Sequence, residues 1–387
     1  MALRVVVVGA GPMGLAAAIG AVDRGYEVTV VERGQIGQSL RSWGTTRFFT
    51  PLEMNVPPRF REILGARMPP PEALLSGQEM AEQILEPIAQ SEILRGKVRT
   101  GETVMAIGRR GLTRSDYAGH PLRSERPFRL LLSGPAGESV LEAEIILDAS
   151  GGSILPKAIG SGGLPARGEF QLNGSAIRTL GELTRRSTEL QGRRILLVGH
   201  GHSAANAIGY LSSLAEQDHG TSVVWAVRTL NQRPCEEIAN DPLPERKSVV
   251  ERANSLATSP SSWLRIERRA MIESIHPSNG HLDVTLSGGR KVEVDLIAAF
   301  TGYRPDGSFL TELTAEVSPV TEGGGRLYRA ISNITDCLTT PVVRSEDLES
   351  GEPNFFFVGS RSYGRARTFL LQTGLSQLET ILDILPH

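Results

Sequence analysis

Gly9, Gly11 and Gly14 stand in the run GAGPMG, and three glycines at this spacing suit one task, closing backbone N–H groups on a pyrophosphate. Gly9 is expected to make the tight turn. Gly11 lets the main chain approach the phosphates, and Gly14 lets the following helix pack close to a strand. Pro12 and Met13 complete the turn and open that helix. Glu32, about twenty residues on, is placed to accept hydrogen bonds from a ribose hydroxyl pair. A second constellation repeats the pattern as Gly199, His200, Gly201, His202, Ser203 and Ala204, with alanine in the third glycine position. There the residue matching Glu32 is Arg228. An acid suits a free 2′-hydroxyl, whereas an arginine attracts a 2′-phosphate, so the second site is expected to take NADPH over NADH. His200 and His202 read as phosphate-side or packing residues rather than acid–base groups.

The elements that must hold these residues are legible around both. An apolar strand over 3–8, the helix-forming LAAAIGAVDRG and a second strand EVTVVE surround the first turn; RRILLVG, NAIGYLSSLAEQ and TSVVWAVR surround the second. The stretch after Glu32 is irregular and rich in Gly, Pro and aromatic residues. Its Trp43, Arg47, Phe48, Phe49 and Thr50 could stack on and hydrogen-bond an extended cofactor. An amphipathic helix interrupted by Pro87 is expected from Gly77 to about Leu94, then a strand over Val98–Ile107. Strands over Pro127–Leu132 and Val140–Leu147 suggest a small antiparallel insert. EIILDASGG then carries Ser150 and Gly151 out of a buried strand, and residues 153–170 read as a hinge.

Residues 231–268 are polar and partly helical, with strands expected at Met271–Ile275, His281–Leu286 and Lys291–Phe300. The last of these exits through TGYRPD as the earlier strand exits through DASGG. The C-terminal NFFFVGS leads into a glycine turn and a helix whose N-terminal dipole could face negative charge on a flavin, with Arg361, Arg365 and Arg367 adding charge.

Composition narrows the class. A net charge of −2 over 387 residues gives no drive towards nucleic acid or a membrane surface, and two isolated cysteines, Cys235 and Cys337, form neither a CxxC pair nor a metal cluster. A metal site is therefore not expected, and the cytoplasm is the expected compartment. The apolar stretch over 5–22 is interrupted by glycines and Pro12 and lacks a basic leader, which argues for a βα unit rather than a membrane span or signal peptide.

Two fingerprints, the acid and the arginine after them, the exits DASGG and TGYRP, and the final FFFVGS turn together resemble the two-dinucleotide-binding-domain flavoproteins. These include thioredoxin reductases, disulfide reductases and class B monooxygenases. The motifs WGTTRFFTPLEMNV, GGLPARGE, GHGHSAANA, NDPLPERK and SYGRARTFLLQTG are most similar to bacterial flavoproteins near the monooxygenase branch. The resemblance implies an α/β fold of two Rossmann-like, three-layer ββα domains, the NADPH domain (166–301) inserted into a discontinuous FAD domain (1–165 and 302–387), with a small antiparallel β insert. It implies that FAD is held by Gly9, Gly11, Pro12, Met13, Gly14, Glu32, Arg33, Trp43, Arg47, Phe48, Val104, Ser150, Gly151, Gly359 and Ser360. NADPH would be held by Gly199, Gly201, His202, Ser203, Ala204 and Arg228.

No catalytic base is named; the residues that could shape the flavin site are Trp43, Arg47, Asn55, Tyr363 and Arg365. Two departures stand out. Gly359-Ser360 replaces the family's Gly-Asp, and the monooxygenase signature FxGxxxHxxx(Y/F) is absent before the second fingerprint, where FQLNGSAIRTL stands. The expected activity is transfer of hydride from NADPH to flavin and activation of O2 to oxygenate a small-molecule substrate at nitrogen or sulfur, or in a Baeyer–Villiger reaction. Alternatives are a reductase feeding a quinone, carrier protein or other acceptor, and a non-catalytic flavin or nucleotide sensor. Neither nucleic acid nor membrane is an expected partner, and a homodimer is an open arrangement.

Overall fold

The computed structural model describes residues 2–172, 175–334, 337–339 and 341–386. Residues 173–174 of the FQLNGSAIRTL segment lie outside that description. The chain forms two compact units, one of residues 1–41, 50–155 and 303–387, the other of residues 42–49 and 156–302.

In the first unit, β1 (Arg4–Val8) leads through the glycine turn into α1 (Pro12–Asp23) and back into β2 (Glu27–Glu32). Both strands are β-branched and nearly all buried, as strands covered on both faces must be. They join β3 (Val98–Thr100), a later strand Ile145–Asp148 and the C-terminal strand Phe355–Phe357 in a five-stranded sheet; every pairing in it is parallel, with Val5–Val8 in register with Ile145–Asp148.

The expected strand over Val98–Ile107 divides. Gly101, at φ +74°, turns the chain out of this sheet, and β4 (Thr103–Arg109) starts a separate antiparallel sheet with β5 (Phe128–Gly134) and β6 (Gly137–Ala143). The expected strand over Val140–Leu147 divides likewise, between β6 and β7 (Ile145–Asp148). A core of Val6, Val31, Ile107, Phe128, Leu130, Leu132, Ile146 and Phe357 joins the two sheets. The helix expected from Gly77 breaks into short pieces, with a π-helical stretch at Met80–Leu85 before Pro87.

The second unit is built likewise. β8 (Arg194–Val198), α2 (His202–Gln217) and β9 (Ser222–Val227) are followed by α3 (Pro244–Thr258) and β10 (Leu264–Arg268). β11 (Ile272–Ser278), β12 (His281–Leu286) and β13 (Lys291–Val294) form an antiparallel sheet, and β14 (Leu296–Ala299) returns beside β8. The expected strand over Lys291–Phe300 is thus two strands in two sheets. Asp295 marks the break: it binds Arg194 at 2.6 Å, and its N–H donates to the Arg194 carbonyl at 2.7 Å. The parallel sheet runs β10-β9-β8-β14. Trp225 is fully buried in β9, and its indole N–H donates to the Gly199 carbonyl at 2.7 Å, tying the second strand to the glycine turn.

Candidate cofactor-binding site

Both fingerprints fold as the spacing requires. Gly9 sits at φ +100° and Gly199 at φ +117°, the left-handed region that glycine enters without steric cost. A Cβ on Gly14 would come within 1.9 Å of the Gly9 carbonyl oxygen, so only glycine permits that helix-to-turn approach. Ala204, buried, fills the same place in the second unit.

Gly11 and Gly201 differ from these. A Cβ on either would meet nothing within 4 Å, which leaves a bare backbone surface before each helix. Neither α1 nor α2 has a side-chain N-cap or an acid in its first turn. The first-turn N–H groups therefore lack an internal anion and, with the helix dipole, suit an external phosphate. This geometry fits a dinucleotide at each turn. Pro12 and Met13 open α1, and the Met13 side chain packs where a Cβ on Gly359 would lie.

Glu32 is buried, and its two carboxylate oxygens accept from the backbone N–H groups of Ala10 and Gly34, each at 2.8 Å. Each oxygen retains a lone pair for a ribose hydroxyl. Arg33 beside it is exposed, whereas Val104 is buried in the core between the sheets. Ser150 N donates to Asp148 Oδ1 at 3.1 Å and Gly152 N to Ser360 Oγ at 3.1 Å, which brings Ser150, Gly151, Gly359 and Ser360 to the C-terminal edge of the first sheet. Ligands of open α/β sheets bind at that edge.

The other residues expected beside the flavin have these surroundings. Trp43, Arg47 and Phe48 belong to the second unit, where the Trp43 and Phe48 rings lie 5.0 Å apart; Phe49 meets the His202 ring edge-on at 5.3 Å. Asn55 is buried with its amide engaged locally: its oxygen accepts from the Thr50 hydroxyl, and its nitrogen donates to the Thr50 and Pro51 carbonyls. Tyr363 is buried, accepts from Gln377 Nε2 at 2.9 Å, and has its phenol pushed up by burial.

The arginines of the C-terminal turn differ in their surroundings. Arg365 pairs with Glu322 through Nε and Nη2, Arg367 is exposed, and Arg361 is fully buried against Asp148. The C-terminal helix begins only at Leu371, after the short turn Ser360–Tyr363, so its N-terminus does not follow the glycine directly. The Asp148–Arg361 pair had no local signal in the sequence.

In the second unit Gly201, His202 and Ser203 are exposed at the start of α2, and Arg228 is exposed at the end of β9. Neither cysteine has a disulfide partner. Cys235 is buried and its thiol is pushed up to about 12 by burial, with the charge of Glu237 adding to the effect. Among the described residues one His–carboxylate group, His281 with Asp283 and Glu293, lies close enough to share an ion, and it stands on the antiparallel sheet β11–β13.

Residues 3–327 match the family model described as pyridine nucleotide-disulphide oxidoreductase. The chain belongs to that family. No curated protein matches it. Solved structures share its fold: the bacillithiol disulfide reductase of Bacillus cereus is 18% identical at TM-score 0.67, with 99% of this chain and 98% of that chain covered. A Kutzneria ornithine N-hydroxylase is 15% identical at TM-score 0.63, covering 99% and 98%, and the T. acidophilum thioredoxin reductase is 16% identical at 0.59, covering 98% of each. Family and fold agree with the doubly fingerprinted sequence: this is a two-Rossmann α/β oxidoreductase using FAD and a pyridine nucleotide. Among the described residues no helix is long and apolar enough to cross a membrane.

Proposed function

We propose that the chain is an NADPH-dependent flavoprotein monooxygenase, with FAD in the unit of residues 1–41, 50–155 and 303–387 and NADPH in the unit of residues 42–49 and 156–302. The observation that carries this reading is the state of Cys235. Its buried thiol, with a pKa near 12, stays protonated at neutral pH, and the remaining cysteine, Cys337, has no CxxC neighbour. A reductase relay through an internal dithiol therefore has no support. Electrons leave by way of an acceptor that reaches the cofactor itself, here O2 and a small-molecule substrate.

Bound FAD supplies two-electron acceptance from a nicotinamide and delivery to the acceptor. The chain's own part is binding and orientation. Gly9, Gly11 and Gly14 bring α1 to the first pyrophosphate, with Glu32 on the adenosine ribose and Ser150, Gly151, Gly359 and Ser360 at the sheet edge. Gly199, Gly201, Ser203 and α2 take the second pyrophosphate, and Arg228 the 2′-phosphate. The overall reaction balances as NADPH, a proton, O2 and substrate giving NADP+, water and the oxygenated substrate.

The test is anaerobic titration of the FAD-loaded protein with NADPH and NADH, followed by oxygen, with amines, thioethers and ketones offered in turn. Bleaching by NADPH and oxygen uptake matched by oxygenated product support the proposal. Peroxide release with every substrate, together with rapid quinone reduction, would replace it with the reductase reading, which two of the structural neighbours carry in their names. No bleaching by either nucleotide points to a sensor.

A further inference from the structure

The end of β10 carries a second arginine whose setting matches that of Arg228. The parallel register pairs Val227 with Arg268, so the chain leaves β9 and β10 at the same level, with Arg228 and Arg269 next in line. Arg269 N donates to the Thr229 carbonyl at 3.3 Å, which fixes the two strand ends side by side.

Arg269 lies at φ +50°, a left-handed conformation unfavourable for a residue with a Cβ. Its surroundings hold it there. Besides the Thr229 contact, its carbonyl accepts from Ser287 Oγ at 2.6 Å and from Arg290 Nη2 at 3.3 Å. A strained backbone held from several sides is a feature of ligand clamps.

The neighbouring arginines are occupied. Arg265 and Arg290 both bind Glu267, one on each carboxylate oxygen, and Arg268 donates to the carbonyls of Asn231, Gln232 and Ala257. Arg228 and Arg269 are both exposed, and neither guanidinium has a hydrogen bond or ion pair with another described residue. Arg228 and Arg269 thus leave adjacent strand ends with no internal counter-charge, and with the nearby carboxylate already neutralised an external anion is the partner left to both. A phosphate monoester carries close to two negative charges at neutral pH, and its oxygens accept from several guanidinium N–H groups at once.

We infer that Arg269 and Arg228 together bind the 2′-phosphate of NADPH, making Arg269 a determinant of nucleotide choice. This inference rests on the NADPH reading above and adds a residue, from a different strand, that the fingerprint does not contain.

The test compares wild type with Arg269→Ala, Arg269→Gly and Arg228→Ala, measuring affinity for NADPH, NADH and 2′,5′-ADP by calorimetry, with Tm as the folding check. Glycine is included because it keeps the left-handed backbone without strain. Both Arg269 variants should lose about 10- to 100-fold affinity for NADPH and 2′,5′-ADP, the loss expected for a charged hydrogen-bond partner, and keep NADH affinity. If the Arg269 variants leave the NADPH-to-NADH ratio unchanged while Arg228→Ala lowers it, this inference fails and the NADPH reading stands. Equal loss for both nucleotides also overturns it, as a general effect on the fold. If wild type binds NADH as tightly as NADPH, or binds neither, the NADPH reading itself is wrong and the inference falls with it.

Discussion

Arg361 Nε lies 2.9 Å from Asp148 Oδ2, and both side chains are fully excluded from solvent. Asp148 ends β7 in register with Phe357, and Arg361 follows two residues beyond the glycine that ends the Phe357 segment. The pair therefore ties together the two backbone exits that carry Ser150–Gly151 and Gly359–Ser360. Asp148 Oδ1 also holds Ser150 N, and Arg361 Nη1 donates to the Glu322 carbonyl at 2.8 Å. Removing the acid strands a buried guanidinium. Asp148→Leu should cost about 3–5 kcal/mol in urea unfolding, and the double variant with Arg361→Met should recover most of it. A loss under about 1 kcal/mol for the single variant would remove the pair from the stabilising set.

The two glycines of the first turn should respond in opposite ways to one methyl group. Gly11→Ala meets open space, so stability of the cofactor-free protein should stay within about 0.5 kcal/mol of wild type while FAD retention on gel filtration falls sharply. Gly14→Ala drives its Cβ into the Gly9 carbonyl and should destabilise the fold by about 3 kcal/mol or more. Normal FAD retention in Gly11→Ala would argue that no phosphate approaches there.

Acid should weaken the protein through Glu352. Burial alone would raise this carboxyl's pKa, but the Thr314 N–H and hydroxyl and the Arg109 guanidinium outweigh burial and hold it below the usual carboxylate range. A carboxylate depressed on folding contributes stability that is fully present above its unfolded pKa of about 4.3 and is lost as pH falls through the lower folded value. Glu352→Gln leaves Arg109 and Arg123 buried with no counter-charge and should cost about 3–5 kcal/mol at pH 7. The gap between wild type and variant should be flat from about pH 7 to 5 and narrow below about pH 4; a gap that widens in acid would contradict this account.

Cys235 should resist thiol reagents. Its buried, protonated thiol predicts no alkylation by iodoacetamide in the native protein at pH 8 and full modification after unfolding, read by mass spectrometry. Cys235→Ala should retain NADPH oxidation, whereas abolished turnover with FAD still bound would return the enzyme to thiol chemistry.

Both glycine turns, their flanking strands and helices and the α/β class were determined by the sequence itself, because their demands are local. A positive φ at Gly9 and Gly199, no room for a Cβ at Gly14 and a bare backbone at Gly11 and Gly201 each select one residue type at one spacing. What only the tertiary structure decided depends on partners far along the chain. Val98–Ile107 and Lys291–Phe300 read as continuous strands because apolar alternation does not record which sheet edge each half joins. That Asn55 engages Thr50 and Pro51, and Tyr363 engages Gln377, is likewise decided only by the folded chain. Arg361 read as one of three charges beside the flavin at the C-terminal turn; Asp148, 213 residues away, makes it a buried ion-pair partner. Burial and ion pairing of this kind are set when distant strands align, and no local pattern encodes that alignment.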